Sequence, residues 1–325
     1  MNNAAPTRGR MRLYIGSGKT ELFLLLVLGL LFLTFGYFSD VFFTVFNLMN
    51  LLRQTAIYGI VAIGMVFVII SSGIDLSVGS VVGFSGMITA MALVAGLPFF
   101  VAILLAIVLS AGIGLINGIL VYDGKVPPFI ATLGAMAVVR AVIMLVTNAR
   151  MISGLPRAFI DISQATLFGV PLLAVAWIVL TIIAYFVIRK TVFGRSVFAY
   201  GSNKEAARLS GINVRRTIYG VYIYSAVMCA IAGILLTSRL SSATPTAGSG
   251  YELDAIAAAV VGGASLSGGE GSILGAFLGA IIMSTLRQGG TLLGLNAFVM
   301  EIIIGALIVV AVLLDQLRRK QGGTK

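Results

Sequence analysis

Apolar positions along this chain come in long blocks, not in alternation. The blocks cover residues 22–38, 51–70, 76–95, 99–122, 128–147, 170–188, 218–237, 254–264, 273–286 and 297–314. One helical crossing of a bilayer takes about 20 apolar residues, so the pattern predicts an all-α, polytopic bundle of about ten transmembrane helices. The eighth block, 254–264, is too short to span unaided. Two polar interruptions stand out. Residues 71–79 and residues 261–271 separate apolar runs at comparable places in the two halves. They read either as turns, with Asp75 and Ser272 capping helices, or as broken helices of the kind seen in transporters built from two related halves.

Composition agrees with the blocks. Of 325 residues, 59% are hydrophobic and 10% are charged, against roughly 25% charged in a soluble domain. Mean hydropathy is +1.08. A water-soluble fold has too little polar surface to cover that much apolar area. The chain has no histidine and a single cysteine, Cys229. The commonest general base and metal ligand is therefore absent, and no internal disulfide can form. Neither a proton-relay series of carboxylates, a catalytic triad nor a metal-ligand spacing is present in the sequence.

The net charge of +11 would suit nucleic acid in a soluble protein. In a membrane protein it reports basic cytoplasmic loops. Ten crossings with both termini cytoplasmic put the 189–216 segment inside with Arg189, Lys190, Arg195, Lys204, Arg208, Arg215 and Arg216. Lys125, Arg8, Arg10, Arg12, Lys19 and the tail basics Arg318, Arg319, Lys320 and Lys325 also fall inside. Only Arg53, Arg150, Arg157, Arg239 and Arg287 fall in outer segments. The division is then a cytoplasmic tail (1–21), a transmembrane domain (22–316) with a cytoplasmic loop (189–216), and a second tail (317–325). The first run follows basic residues and lacks a small-x-small site after it, so it reads as an uncleaved span.

Candidate chemistry is sparse. Gly16-Ser17-Gly18-Lys19-Thr20 resembles the end of a phosphate-binding loop, but Leu13 stands where the pattern needs glycine. No other segment offers an ATP site, so ATP-driven work needs a separate subunit. In the basic loop, Ser202 and Glu205 have capping-box spacing and Gly211 suits the residue after a helix end. They predict a short helix over 203–210, where Lys204 and Arg208 can reach acidic groups while Ala206 and Ala207 allow close approach. Gly271, Gly275 and Gly279 form an i, i+4, i+8 stripe for close helix packing, as do Gly79 with Gly83 and Gly114 with Gly118. Arg140 lies deep in its run, with Asp75, Asp254 and Glu301 as candidate partners. Asn117, Thr132 and Gln288 are further buried polar candidates. The 148–168 loop has a mildly basic character that would suit an acidic partner, or is a plain exposed loop.

Four segments together resemble the permease subunits of bacterial ribose-type ABC sugar importers. They are Ser72-Gly73-Ile74-Asp75-Leu76-Ser77-Val78-Gly79-Ser80, Val126-Pro127-Pro128-Phe129-Ile130-Ala131-Thr132-Leu133-Gly134, the 201–212 stretch, and Val261-Gly262-Gly263-Ala264-Ser265-Leu266-Ser267-Gly268-Gly269-Glu270-Gly271-Ser272. The resemblance implies a multi-pass subunit of the inner membrane, paired with a second permease, a cytoplasmic ATPase that binds ATP and magnesium, and a periplasmic sugar-binding protein. This chain would hold no cofactor and catalyse no reaction. Ser202, Asn203, Lys204, Glu205, Ala206, Ala207, Arg208 and Gly211 would form the helix that couples to the ATPase. Asp75, Asn117, Thr132, Arg140 and Glu301 are the candidates for the translocation path of a pentose or hexose. The alternative is an ion-coupled secondary transporter of a small polar solute. It would need an intramembrane ion site, for which the carboxylates are few.

Overall fold

A computed structural model describes residues 18–322. Arg8, Arg10, Arg12, Gly16, Ser17 and Lys325 lie outside the described residues. The elements in order are α1 (Gly18–Phe38), α2 (Val45–Ile70), α3 (Val78–Val94), α4 (Phe99–Tyr122), α5 (Pro128–Thr147), α6 (Arg157–Gln164), β1 (Thr166–Leu167), β2 (Val170–Pro171), α7 (Leu172–Lys190), α8 (Val192–Ser202), α9 (Lys204–Leu209), α10 (Val214–Leu240), α11 (Tyr251–Val261), α12 (Ile273–Leu292) and α13 (Ala297–Gly322). Every apolar block predicted from sequence holds a helix, although the blocks 76–95, 170–188 and 254–264 each include a few residues outside it. Seven of these helices, α1, α2, α4, α5, α7, α10 and α12, are long and apolar enough to cross a membrane. Within α3 and α13 the apolar helical stretches, Val78–Val94 and Ala297–Leu313, are shorter, and α11 has only 11 residues.

Local chemistry explains where the helices begin. Proline stands directly before α4, α6 and α7, at Pro98, Pro156 and Pro171, and Pro128 takes the first position of α5. Its missing N–H is no loss there, because the first turn has no intrahelical acceptor for it. The Thr44 and Ser272 side chains accept from the Asn47 and Gly275 amides and cap α2 and α12. Four elements lay hidden in polar sequence. The 148–168 loop contains α6 and leads into the small β1–β2 hairpin, and the basic loop contains α8 ahead of its shorter helix.

Packing is centred on α2 and α10. Nearly all of α2 from Thr55 to Ile70 is buried, and α10 lies against α2, α3 and α4. Trp177 of α7 stacks on Phe277 of α12 with ring centroids 4.1 Å apart. Small residues set how closely the helices approach. A Cβ at Gly114 would strike the Tyr222 backbone, and one at Gly279 would strike the Ala258 carbonyl. The outer faces of α1, α4, α5, α7 and α13 are apolar instead, with Leu33, Phe100, Leu145 and Phe298 among the exposed side chains. An apolar surface of that extent needs lipid or another protein around it.

Candidate functional site

At the end of the bundle that carries Lys125, Arg195 and Arg216, three segments meet. Ser72, in the α2–α3 turn, directs its hydroxyl at the carbonyls of Gly201 and Ser267, each 3.1 Å away. The Gly269 amide donates to the Ile70 carbonyl at 2.8 Å. The α8–α9 elbow is thus bound to the turn after α2 and to the loop before α12. Glycine permits this contact. A Cβ at Gly201 would overlap the Ile70 carbonyl, and Gly268 and Gly269 hold φ of +83° and +74°, a region costly for residues with a Cβ. The start of the first interrupted segment, 71–72, and the 267–269 part of the second are therefore turns at this end, and the elbow joins them.

The short helix differs in one detail from its sequence reading. It runs Lys204–Leu209, and its cap is Asn203, whose Oδ1 accepts from the Ala206 amide at 2.9 Å. Ser202 cannot cap it because α8 continues through Ser202. Asn203 is the extended residue, with φ of −160°, so only its side chain turns back toward the third amide. Glu205 pairs with Arg208 instead, at 3.0 Å, with both side chains largely exposed. Gly211 takes φ of +80° and its amide closes on the Arg208 carbonyl. Ala207 is buried while Leu209 is 81% exposed, so α9 turns one face to the protein and leaves Lys204, Glu205, Arg208 and Leu209 outward.

Deeper in the bundle, residues 74–77 fold back beside α10. Asp75 Oδ1 accepts from the Ser77 amide at 3.0 Å and the Ser77 hydroxyl at 2.6 Å, and Oδ2 accepts from the Ser225 hydroxyl at 3.1 Å. Asn117 Nδ2 donates to Ser77 Oγ at 2.9 Å, and Thr132 Oγ1 accepts from the Leu76 amide at 3.1 Å. Ser225 lies about 16 Å along α10 from its first residue, so α3 starts well inside the bundle. Irregular backbone at such depth is tolerated only where its polar groups find partners. Asp75, Asn117 and Thr132 supply them. Ser77 takes the capping position of α3 that the sequence reading gave to Asp75.

Arg140 has none of the partners expected for it. Its Nη1 donates to the Pro245 carbonyl at 2.7 Å and the Ala247 carbonyl at 2.9 Å, with Glu252 acting on it through space. The reason is the inward course of 241–250, which drops between α3 and α5 ahead of the short α11. Backbone carbonyls leave no mark in a sequence, so a search for charged partners missed them. Asp254 pairs with Arg287 at 2.7 Å, placing Arg287 inside α12 and not in an outer segment. Arg53 likewise sits on α2 and donates to the Ser163 carbonyl. Glu301 lies on the exposed side of α13. Gln288 donates to Asn47 Oδ1 at 2.6 Å.

The glycine stripe is divided. Gly275 and Gly279 lie on α12, where added Cβ atoms would overlap the Gly262 and Ala258 carbonyls of the α11 side. Gly271 precedes the helix and packs on Ile70. Gly79 and Gly83 make room for the carbonyls of Gly248 and Ala247. Glu252 and the Tyr58–Tyr251 ring pair, with centroids 4.6 Å apart, are polar features of this interior that the sequence reading did not single out. Their signal was the tyrosine and glutamate just ahead of an apolar run.

A greasy helical bundle containing seven helices long and apolar enough to cross a membrane, with a short charged helix tied to its internal turns, fits a polytopic membrane protein. The chain matches, over residues 47–312, the family described as branched-chain amino acid transport system / permease component, and it belongs to that family. It is 41% identical over 272 residues to the ribose import permease protein RbsC of Bacillus subtilis, covering 83% of this chain and 84% of the relative. Identity to RbsC of Escherichia coli K12 is 42% over 241 residues, or 71% and 73% of the two chains. The D-allose transport system permease protein AlsC of the same bacterium is 34% identical over 296 residues, or 90% and 91%. No solved structure matches. The chain is thus a ribose-type ABC sugar permease, a multi-pass protein of the inner membrane.

Proposed function

We propose that this chain is the membrane-spanning subunit of an importer that carries a monosaccharide, a pentose or hexose, from periplasm to cytoplasm. Identities of 41% and 42% to ribose permeases support the substrate class. In this reading the chain crosses the membrane ten times with both ends inside, pairs with a second permease subunit, and accepts sugar from a periplasmic binding protein. A cytoplasmic ATPase, which binds ATP and magnesium, drives the cycle.

The observation that carries the reading is the exposed α9, hydrogen-bonded through its elbow to the turns at 70–72 and 267–269. A partner that grips Lys204, Glu205, Arg208 and Leu209 would pull on α2, α3 and α12 together. ATP and the loaded binding protein would then bias one inward–outward equilibrium, each by binding one state better than the other. Asp75, Asn117 and Thr132 brace the segment that such a movement would carry, while Arg140 with Glu252 offers polar groups toward a passing sugar.

Uptake in vesicles tests this. Import should require ATP and an added binding protein, and a proton or sodium gradient alone should not support it. The double exchange Glu205→Arg with Arg208→Glu retains an opposite-charge pair within α9 and inverts what a partner meets. It should reduce coupled transport at least tenfold. Gradient-driven uptake, or full coupling in the exchanged variant, would overturn the reading.

A further inference from the structure

A cavity of about 220 Å³ lies between the α2–α3 turn, the 125–128 segment, the C-terminal part of α8, the start of α9 and α10. Its lining includes Ser72, Lys125, Tyr200 and Lys204. Two lining residues, Lys125 and Lys204, are exposed lysines, and no lining residue is acidic. Tyr222, 1% exposed, lies behind this lining, and its Oη, closed off from the cavity, has no hydrogen-bond partner. A buried hydroxyl left unpaired is costly, and such exceptions need an explanation. Lys204 Nζ sits 5.5 Å from the centre of the Tyr200 ring. Ser72 and Lys125 both hold left-handed backbone, with φ of +59° and +52°. Such conformations in residues with a Cβ persist only where the surroundings enforce them, and they gather at ligand sites.

Two exposed lysines at the mouth of the cavity, with an unpaired phenol behind its wall and no carboxylate among the lining residues, favour a compact anion with several acceptor oxygens. Lysine binds phosphate as a point charge. The cavity lies below the roughly 300–1,000 Å³ of a site for drug-sized ligands. A nucleotide is therefore too large, while the tyrosine rings and the Pro127–Pro128 wall leave an apolar flank for a small carbon skeleton.

We infer that this cavity binds a small phosphate-bearing anion, either inorganic phosphate or the phosphate monoester of a sugar. Bound there, the anion ties the Lys204 end of α9 to the loop between α4 and α5. It would favour whichever transport state keeps those two segments together. A phosphorylated form of the imported sugar would then act as a brake from the cytoplasmic side. That last consequence rests on the proposed transport function, whereas the binding itself does not. A phospholipid headgroup presents the same chemistry, and the experiment separates the two sources.

The full-length chain, stripped of lipid and held in dodecyl maltoside, is dialysed against radiolabelled orthophosphate. Unlabelled ribose 5-phosphate serves as competitor. Saturable binding is expected, displaced by the sugar phosphate. Lys125→Gln should weaken it at least tenfold and Tyr222→Phe at least threefold. Neither residue belongs to α9, so coupling contacts are not disturbed. Tyr222→Phe removes only an unpaired hydroxyl, so its thermal unfolding should match the parent or exceed it, which separates lost binding from lost folding. In a second arm, dioctanoyl phosphatidylglycerol replaces phosphate. Binding of the lipid alone, with the same dependence on Lys125 and Tyr222, assigns the site to a headgroup and overturns the inference. Absence of saturable binding by either probe, or binding that both substitutions leave unchanged, overturns the inference.

Discussion

Single residues in this protein are mostly occupied with making irregular backbone tolerable inside an apolar bundle. Arg140 illustrates this, because its two hydrogen bonds go to main-chain carbonyls at Pro245 and Ala247. Asp254 is the converse, a buried carboxylate whose side chain is 3% exposed and paired with Arg287 at 2.7 Å. Glu252 and Glu301 are close enough to act electrostatically on it, so Arg287 offsets more than one negative charge. Removing one member of a buried ion pair typically costs about 3–5 kcal/mol, because the survivor is left uncompensated, while replacing both can be close to neutral. Arg287→Gln should therefore lower the thermal stability of the purified protein by that order. Adding Asp254→Asn should restore most of it. If the double variant melts no higher than Arg287→Gln, the pair is not what holds α11 to α12 at this level.

Among the elements, close packing of α11 on α12 is the contact most dependent on a missing side chain. An added methyl at Gly279 would meet the Ala258 carbonyl, a backbone atom that cannot swing aside, whereas at Gly112 on α4 it would meet nothing within 4 Å. The expected outcome is asymmetric. Gly279→Ala should destabilise by about 1–3 kcal/mol through overpacking, and Gly112→Ala should be neutral or stabilising by up to about 1 kcal/mol through helix propensity. Equal melting temperatures for the two would refute the packing assignment. This contact also shows how far the sequence is legible. Hydrophobic blocks announce helices because each must bury its backbone polar groups internally, and glycine spacing announces that helices approach closely. What the spacing omits is the partner, so Gly271 reads as a third member of the stripe although it precedes α12. Capping chemistry is legible to within one residue. Ser202 and Asn203 are both good caps, and only the continuation of α8 through Ser202 decides between them. The 241–250 segment was least legible, since its course depends on carbonyl groups that every residue possesses.

For the whole molecule, the proposed ten crossings ask apolar segments of unequal length to span one bilayer. α11 has 11 residues and spans about 16 Å at 1.5 Å per residue, roughly half of a hydrocarbon core about 30 Å thick. The remaining depth falls to 241–250, whose inward course Arg140 and the small Gly79 and Gly83 accommodate. In the proposed ten-crossing arrangement the two together make one crossing, and α3 with the folded-back 74–77 segment makes another. An even number of crossings then separates 97 from 168, and a single one, α7, separates 168 from 209. Phe168 is 98% exposed at the tip of the hairpin, Leu209 is 81% exposed on α9, and Leu97 is 41% exposed after α3. Because Cys229 is buried, a cysteine placed at any of these sites should react alone with a membrane-impermeant maleimide. On intact spheroplasts, Leu97→Cys and Phe168→Cys should label while Leu209→Cys labels only after permeabilisation. Labelling of Leu209→Cys from outside would invert the bundle and put α9 beyond the reach of any ATPase. Labelling of Leu97→Cys from the side opposite Phe168→Cys would instead break the count between α3 and α7, while leaving α9 where coupling requires it.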